Sequence, residues 1–432
     1  MDCRGDEKPV QWVTADEAMT AIQSNDQVYC QGMASTPTEL LTALARRCRT
    51  LSGVTLYHLH LEGPTPQISP ELKGRLLDIS LFVGSNLRKA VNEGQAYYLP
   101  LFLSDVPWFI RRDEFALKAC LIQVSPADRH GFVSLGPTVE GVLAAIEKAD
   151  VVIAEVNPQV PRTLGWAHLP VSQIDYAVHV DRPLASHEPI LSGPLYQRIA
   201  QNVASLIDDR STLQVGIGRI PDAVLQLLRD HHDLGIHSEM ISDGVMDLAE
   251  AGVITGRYKA IDRDQIVTTF ALGSQRLYRF MDDNPSIAMC SVDYTNNTAI
   301  IRQHPKMTSI NSALEVDITG QVAAESLGPH LISGVGGQMD FVRGATLAPQ
   351  GRSIIALPSR TANGASRIVA MLTSGAAVTT TRNHVQFVVT EYGIASLHGQ
   401  TLDERARRLV AIAHPDDREK LLIQARQVIP GL

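Results

Sequence analysis

The chain has 432 residues, of which 44% are hydrophobic, and a formal net charge of −8. This length is enough for two domains with complete cores. The charge argues against a nucleic-acid partner, which requires a basic surface. Since no apolar run approaches the roughly 18 residues of a membrane helix and the N-terminus shows no apolar signal core, we expect no membrane partner and a cytoplasmic location.

Five cysteines are scattered along the sequence: Cys3, Cys30, Cys48, Cys120 and Cys290. Their number is odd, they form no Cys-x-x-Cys pair, and no other metal-binding residues cluster near them. We therefore expect reduced thiols that act as small hydrophobic side chains, and no metal site.

Apolar runs bounded by turn residues alternate with segments of helical period, which is typical of stacked βα units. The predicted strands are 27–30, 54–58, 79–83, 119–124 and 151–156 in the first half, and 213–217, 286–290, 309–310, 354–357 and 385–389 in the second. The polar, Pro-containing stretch 181–194 marks the best boundary, and a helix over 195–207 would open the second domain. The pattern predicts an α/β fold with two open α/β domains of similar size, 1–190 and 191–432, facing each other across an active-site cleft.

A glycine-rich turn in the second half leads from a strand into a helix. The predicted strand 213–217 runs into Gly216 and Gly218, and Pro221 suits the first position of the following helix. This turn opens the segment in which we expect the chemistry.

Glu239 is the strongest single candidate for that chemistry. It stands inside the short apolar stretch 236–241, and Asp243 is predicted to cap the next helix, 245–251. A carboxylate in such a stretch is costly to bury unless it is paired or used, so Glu239 is a candidate nucleophile or base. The alternative is a carboxylate that is solvated or bonded to a helix N-terminus, since only some such residues mark active sites.

A series of short sequence blocks occurs in a characteristic order over nearly the whole chain. The blocks are 63–66, 124–126, 130–131, 134–136, 216–244, 294–297, 310–317, 333–341, 379–383, 390–393 and 413–415. Together they resemble the acetyl-CoA hydrolase/transferase family of class I CoA-transferases, which includes enzymes for 4-hydroxybutyrate and itaconate.

The resemblance implies that Glu239 is the catalytic nucleophile, flanked by Asn296 and by the glycine turn at Gly337. It also implies that Gly216 and Gly218 line the same pocket and that the two halves are structurally similar. Coenzyme A would be a substrate, carried transiently as a glutamyl-CoA thioester in a ping-pong reaction. Two alternatives stay open, because Asn297 is an equally suitable amide and a glycine turn often serves only as a turn.

Two loops are candidates for binding CoA through their backbone N–H groups, because glycine lets a substrate approach closely. The candidate residues are Gly334, Gly336, Gln338, Met339, Phe341, Asn363 and Gly364. Relatives commonly carry a Lys-Gly-Gly stretch where this chain has 361–365. For Asn363 and Gly364 the alternative is a loop that needs only a glycine with a positive φ and does not contact CoA.

Arg219 is the departure from the family pattern that bears on specificity, since relatives frequently carry Gly at this position. A guanidinium holds a carboxylate bidentately, which favours a dicarboxylic acyl group such as succinyl or itaconyl over 4-hydroxybutyrate or a short-chain acid. The alternative is that Arg219 neutralises Glu239, Asp222 or a partner subunit. His60 is a candidate for closing the acyl pocket, or an ordinary strand residue.

We therefore expect a CoA-transferase that acts on acyl-CoA, with succinyl-CoA or acetyl-CoA as donor, and on small carboxylic acids, as a homo-oligomer. An acyl-CoA hydrolase is the first alternative, because the same carboxylate and donors would serve if water entered the site. A CoA-binding protein without activity is the second. A nicotinamide dehydrogenase is disfavoured, since the sixth position of Gly-Ile-Gly-Arg-Ile-Pro is Pro221 rather than Gly.

Overall fold

The fold is described from a computed structural model that covers residues 9–188, 193–430 and 432. In chain order, the strands are β1 Gln11–Trp12, β2 Gln27–Cys30, β3 Val54–His58, β4 Leu76–Ser80, β5 Tyr97–Tyr98, β6 Leu117–Val124, β7 Phe132–Ser134, β8 Val151–Val156, β9 His168–Pro170, β10 Tyr176–His179, β11 Thr212–Val215, β12 Gly235–Ile236, β13 Met240–Ile241, β14 Ile266–Thr268, β15 Phe270–Ala271, β16 Ile287–Met289, β17 Met307–Ser312, β18 Glu315–Asp317, β19 Val322–Ala323, β20 Ser326–Leu327, β21 His330–Leu331, β22 Arg352–Ala356, β23 Ile368–Val369, β24 Phe387–Thr390 and β25 Gly393–Ser396. The α-helices are α1 Ala15–Ala18, α2 Thr38–Cys48, α3 Arg88–Asn92, α4 Val106–Arg111, α5 Val142–Lys148, α6 Pro194–Ala204, α7 Arg219–Leu227, α8 Asp243–Glu250, α9 Gln275–Met281, α10 Val292–Thr295, α11 Thr298–Ile301, α12 Gln338–Leu347, α13 Leu402–Ile412 and α14 Pro415–Val428.

The chain divides into two compact units. Unit 1 runs to His187 and includes Thr269–Tyr294, and unit 2 contains Glu188–Thr268 and Thr295–Leu432. The predicted boundary between 190 and 191 falls in 189–192, outside the described residues, so the division into 1–190 and 191–432 stays a prediction. The strand predicted at 286–290 is observed as β16 and belongs to unit 1.

Unit 1 is built on an eight-stranded sheet with the order β1-β10-β8-β6-β2-β3-β4-β5. Each neighbouring pair is parallel. Parallel strands need both faces covered, which explains why β6 is buried along nearly its whole length. Helix α2 supplies one cover, since its buried Leu40, Leu41 and Leu44 pack in the same cluster as Val28 of β2.

Unit 2 is built on a six-stranded sheet with the order β12-β11-β17-β22-β24-β25. Its strands are parallel except for the antiparallel pair β24 and β25. One core cluster joins Ile355, Val388 and Ala395 of this sheet to Leu409 of α13 and Leu421 of α14.

The two sheets share one strand order. Numbering the strands along the chain, β2, β3, β6, β8 and β10 in unit 1 and β11, β12, β17, β22 and β24 in unit 2 both lie in the spatial order 2-1-3-4-5. This is a doubly wound α/β arrangement, whose ligands bind at the carboxyl ends of the strands near the switch point between the first and third strands. The predicted α/β fold class is confirmed. The family resemblance also implied that the two halves are structurally similar, and the shared strand order agrees with this.

Two local predictions around Glu239 and the glycine turn need correction. Helix α7 begins at Arg219, so Pro221 is its third residue; this costs nothing, because the first N–H groups of a helix have no intrahelical acceptor. Ser242, not Asp243, is the N-cap of α8, which Asp243 opens. Within the apolar stretch 236–241, Glu239 lies between β12 and β13.

Candidate active site

Glu239 stands at the carboxyl end of β12, where the chain leaves the sheet of unit 2. The preceding residue fixes this exit, because the Ser238 hydroxyl lies 3.2 Å from both the N and the O of Val215, the last residue of β11. The Ser238 N–H donates to the Val267 carbonyl, and the Thr268 hydroxyl donates to the Glu239 carbonyl at 3.2 Å. The backbone on both sides of the carboxylate is therefore held by β11 and β14.

Two N–H donors meet the Glu239 carboxylate. Asn296 Nδ2 donates to Oε2 at 3.0 Å, and the backbone N–H of Gly337 forms a second hydrogen bond. Burial raises the pKa of Glu239 to about 7, and the two donors oppose that rise because they favour the ionised form. The residue is partly exposed. Glu239 is thus a reachable carboxylate that is partly ionised near neutral pH.

Asn296 is fully buried and its amide is fixed from both ends. Nδ2 also donates to Asp340 Oδ2 at 3.2 Å, while the Thr295 hydroxyl donates to Asn296 Oδ1 at 3.0 Å. Two carboxylate acceptors at one end require the NH₂ group there. The neighbouring Asn297 has a different task, since its side chain accepts from the Ala299 N–H and caps α11. Asn296, not Asn297, is therefore the amide that faces Glu239.

Gly337 is the N-cap of α12, so its N–H lies at the positive end of a ten-residue helix. A Cβ atom at this position would overlap Glu239 Oε2 and Asn296 Nδ2, so that only glycine fits. Gly336 before it has φ 55°, a left-handed conformation. The glycine pair thus lets a helix N-terminus touch the carboxylate.

The turn after β11 holds Gly216, Gly218 and Arg219. Gly218 has φ 113° and is the N-cap of α7, which accounts for a glycine there. Arg219 is exposed, with its guanidinium carbon 5.4 Å from the centre of the Tyr196 ring and Nη1 3.4 Å from the Tyr196 hydroxyl. The structure therefore places this cation against α6.

The residues predicted to bind CoA fall in two separate places. Gly334 and Gly336 are buried in the loop before α12, and Gln338 donates to the Thr380 hydroxyl at 3.1 Å. Met339 is partly exposed, whereas Phe341 is in the core with Ile301 and Met307. Asn363 and Gly364 form an exposed hairpin tip, closed by hydrogen bonds between Thr361 and Ala365.

His60 belongs to unit 1, where it follows β3. Its Nε2 lies 2.9 Å from Glu62 Oε1, and Glu62 Oε2 lies 3.2 Å from His187 Nε2. These contacts make His60 part of a partly buried polar cluster and not an ordinary strand residue.

Two residues at the site of unit 2 were not predicted as site residues. Asp340 fixes Asn296, and His237, two residues before Glu239, donates through Nε2 to the Thr295 carbonyl at 2.9 Å. The sequence feature that could have indicated His237 is its position as a polar residue inside the apolar stretch 236–241. For Asp340 it is a carboxylate in the first turn of the helix that follows the glycine turn.

Within 9–188, 193–430 and 432, no group of three or more His, Cys, Asp or Glu side chains is arranged to hold a metal ion. Over the same residues, no helix has both the length and the apolar character needed to cross a bilayer.

The fold and the site together define an α/β protein with a reachable, donor-held carboxylate. Residues 6–186 match the acetyl-CoA hydrolase/transferase N-terminal domain and residues 273–425 match the corresponding C-terminal domain. The chain belongs to the acetyl-CoA hydrolase/transferase family.

Relatives named as transferases agree along nearly the whole chain. The 4-hydroxybutyrate coenzyme A transferase of Clostridium kluyveri is 45% identical, over 95% of this chain and 96% of its own length. The succinyl-CoA:acetate/propanoyl-CoA:succinate CoA transferase of Fasciola hepatica is 44% identical, over 94% and 86%. The crystal structure of RipA from Yersinia pestis matches with a TM-score of 0.91 at 34% identity, over 97% of each chain. The predicted enzyme class, a CoA-transferase, is confirmed.

Proposed function

We propose that this enzyme transfers CoA from an acyl-CoA to a small carboxylic acid by a ping-pong reaction through a glutamyl-CoA thioester on Glu239. The observation that supports this proposal is a reachable carboxylate that accepts hydrogen bonds from Asn296 and Gly337. A carboxylate can hold an acyl group or CoA covalently without releasing either to water.

The reaction balances without any further reactant. Ionised Glu239 attacks the thioester carbonyl through Oε1, the C–S bond breaks, and a mixed anhydride and CoA thiolate result. The thiolate then attacks the glutamyl carbonyl, and the first acid leaves as a carboxylate while a glutamyl-CoA thioester forms. The second acid follows the same steps in reverse, so one carboxylate enters for each one that leaves.

Asn296 and Gly337 act in the thiolate step of this scheme. Oε2 is the carbonyl oxygen of the acylated Glu239, and it becomes an oxyanion when the thiolate attacks. Since Asn296 Nδ2 already lies 3.0 Å from Oε2, the donor is in place before the charge develops. Preorganised donors of this kind typically contribute 10²- to 10³-fold in rate.

For the substrates, we propose succinyl-CoA or acetyl-CoA as donor and 4-hydroxybutyrate or a dicarboxylate of the succinate or itaconate type as acceptor. The names of the two curated relatives support 4-hydroxybutyrate and succinate. Arg219 directly after Gly218 supports a second carboxylate on the acyl group. Gly216 and Gly218 would line the acyl group, and the loop 334–339 with the hairpin tip at Asn363 and Gly364 would contact CoA.

Free-thiol release tests transfer against hydrolysis. Acetyl-CoA or succinyl-CoA is supplied with and without 4-hydroxybutyrate, succinate, itaconate, acetate or butyrate, and both free thiol and new acyl-CoA are measured. We expect slow thiol release without an acceptor and a new acyl-CoA with the right one. Rapid release that no acceptor suppresses or redirects would make the enzyme a hydrolase, and binding without turnover would leave only a CoA-binding protein.

The proposed setting is a homo-oligomer in the cytoplasm. Cys30, Cys48, Cys120 and Cys290 are buried thiols, as is usual in a reducing compartment. Light scattering during gel filtration measures the oligomer, and a mass of 47 kDa, that of the single chain, would rule it out.

A further inference from the structure

A second polar residue of the Glu239 segment, His237, is fully buried and contacts the elements that carry both donors to Glu239. Its Nε2 lies 2.9 Å from the carbonyl oxygen of Thr295. A carbonyl only accepts, so Nε2 carries the proton. Thr295 directly precedes Asn296, and its hydroxyl also donates to the Asn296 amide oxygen at 3.0 Å.

The ring of His237 also packs towards α12, the helix whose N-terminus donates to Glu239. Its centroid lies 6.4 Å from that of Phe341, which is in the second turn of α12, and 4.8 Å from that of His304. The imidazole of His237 thus contacts two elements: it hydrogen-bonds to Thr295, next to Asn296, and it packs towards α12. His237 itself is two residues before Glu239 in the chain.

The surroundings keep this imidazole neutral. Burial lowers the pKa of His237 well below its usual value, and His304 and Lys259 lower it further, whereas the bond to Thr295 acts in the opposite direction. Burial and Lys259 likewise lower the pKa of His304, to about 3. A neutral imidazole has a single N–H, and the geometry assigns it to the Thr295 carbonyl.

We propose that His237 is a positioning residue, which holds the Asn296 amide against Glu239 through its Nε2–H bond to the Thr295 carbonyl. This inference rests on the proposed role of Glu239. If His237 acts in this way, losing its N–H loosens Asn296 without removing any group that touches substrate. Loss of the Asn296 bond raises the pKa of Glu239, because that bond favours the ionised form.

Two amide variants separate positioning from packing. In His237→Gln the side-chain N–H reaches the position of the histidine Nε2. The side chain of His237→Asn is shorter by one methylene, so its N–H lies near the position of Nδ1 and cannot reach the Thr295 carbonyl. We expect the Gln variant to keep most activity. In the Asn variant, kcat should fall by roughly 10- to 100-fold, the scale of a lost bond to a charged group, with KM nearly unchanged.

The pH profile gives the decisive readout. In His237→Asn the acidic limb of the pH profile of kcat should move to higher pH. Part of the lost kcat should therefore be recovered at pH 9. His304→Gln is the matched control, since both His304 ring nitrogens are buried without a hydrogen-bond partner among the described residues. That variant should change thermal stability and leave the limb in place.

Equal losses in the Gln and Asn variants, or a loss in the Asn variant without a shift of the limb, would overturn the role of His237. Failure of the proposed function is read separately, by trapping the covalent intermediate on the wild-type enzyme. If the trapped group maps to Glu239 while the two variants behave alike, only the inference about His237 is wrong.

Discussion

Two carboxylates with raised pKa, Glu140 in unit 1 and Glu239 in unit 2, differ in their exposure and in their hydrogen-bond donors. Glu140 is completely buried, accepts from the Gly32 N–H at 2.9 Å just beyond β2, and has φ 35°, rare for a non-glycine residue. Burial raises its pKa to about 8, and that of Glu239 to about 7. Both carboxylates therefore share a raised pKa, whereas partial exposure and two N–H donors distinguish Glu239 from Glu140.

Gly32 stands in unit 1 in the same topological position, just past the first strand, as Gly216 in unit 2. In unit 1 the Gly32 N–H donates to the Glu140 carboxylate, and a Cβ added at Gly32 would overlap the His60 carbonyl oxygen. In unit 2 a Cβ added at Gly216 or at Gly218 would meet no atom of the described residues within 4 Å. In the same fold, the space beside the turn after this strand is therefore filled in unit 1 and, among the residues that the structure describes, empty in unit 2.

The largest effect should separate the two carboxylates directly. Glu239→Gln removes the proposed nucleophile, so kcat should fall by on the order of 10⁵-fold or more while CoA binding persists. Glu140→Gln, the matched change, should keep kcat within a few-fold. Steady-state kinetics with calorimetric CoA titration measures both, and comparable losses in the two variants would remove the distinction.

Loss of a donor should come next. Asn296→Ala should lower kcat by about 10²- to 10³-fold and move the acidic limb of the pH–rate profile above pH 7, because the bond lowers the pKa of Glu239. Asn297→Ala is the adjacent control. It should cost about 1 kcal/mol of stability through the α11 cap and leave the profile unchanged. An unshifted limb in Asn296→Ala would contradict the assignment of this donor.

A Cβ at Gly337 should displace the carboxylate itself. Gly337→Ala should therefore reduce kcat by about 100-fold or more, since small misplacements of reacting groups have effects of that size. Gly193→Ala is the comparison, because an added Cβ there meets no atom of the described part of the chain within 4 Å. Circular dichroism checks that both variants are folded, and kcat is then measured for each. A fully active Gly337→Ala enzyme would exclude the close contact between Gly337 and the Glu239 carboxylate.

Arg219 tests specificity rather than rate. If the bound substrate buries its carboxylate against Arg219, losing this charge-assisted pair costs roughly 2 to 5 kcal/mol, which is about thirtyfold or more. Arg219→Gln should thus depress kcat/KM for succinate or itaconate by that factor and spare acetate, butyrate and 4-hydroxybutyrate. Arg198→Gln, at another exposed arginine, two residues after Tyr196 in α6, serves as control. Equal losses for both classes of acid would make Arg219 structural.

The smallest effect concerns the pH dependence of stability. The pKa of Glu140 is raised in the folded state, so the native protein binds the extra proton and loses stability as pH rises from about 4.5 to about 8. Glu140→Gln should flatten this decline. Urea unfolding at pH 5 and pH 8 measures it, and an unchanged difference between the two pH values would show that Glu140 titrates normally.

The regular elements were largely predictable from the sequence. Strands β2, β3 and β8 have the predicted bounds, because there the apolar run and the strand coincide. The strand predicted at 79–83 lies at Leu76–Ser80 instead, since Leu81 and Val83 are buried beyond its end and prolong the apolar run. Burial alone does not tell a strand from a packed loop.

The site was predictable in part. The apolar context singles out Glu239, but its partners Asn296 and Gly337 are distant in sequence, and their proximity depends on the fold. No local pattern shows that Asn297 caps a helix while Asn296 faces the carboxylate. The roles of His237 and Asp340 likewise depend on contacts across unit 2.

The most direct test of the account is to trap the covalent intermediate. The wild-type enzyme is incubated with acyl-CoA without acceptor, treated with borohydride, which reduces a glutamyl thioester to an alcohol, and digested for mass spectrometry. We expect inactivation together with modification of the peptide that contains Glu239, and neither effect in Glu239→Gln. Modification at another residue, such as Glu140, or an unmodified enzyme that still exchanges CoA between acids, would contradict it.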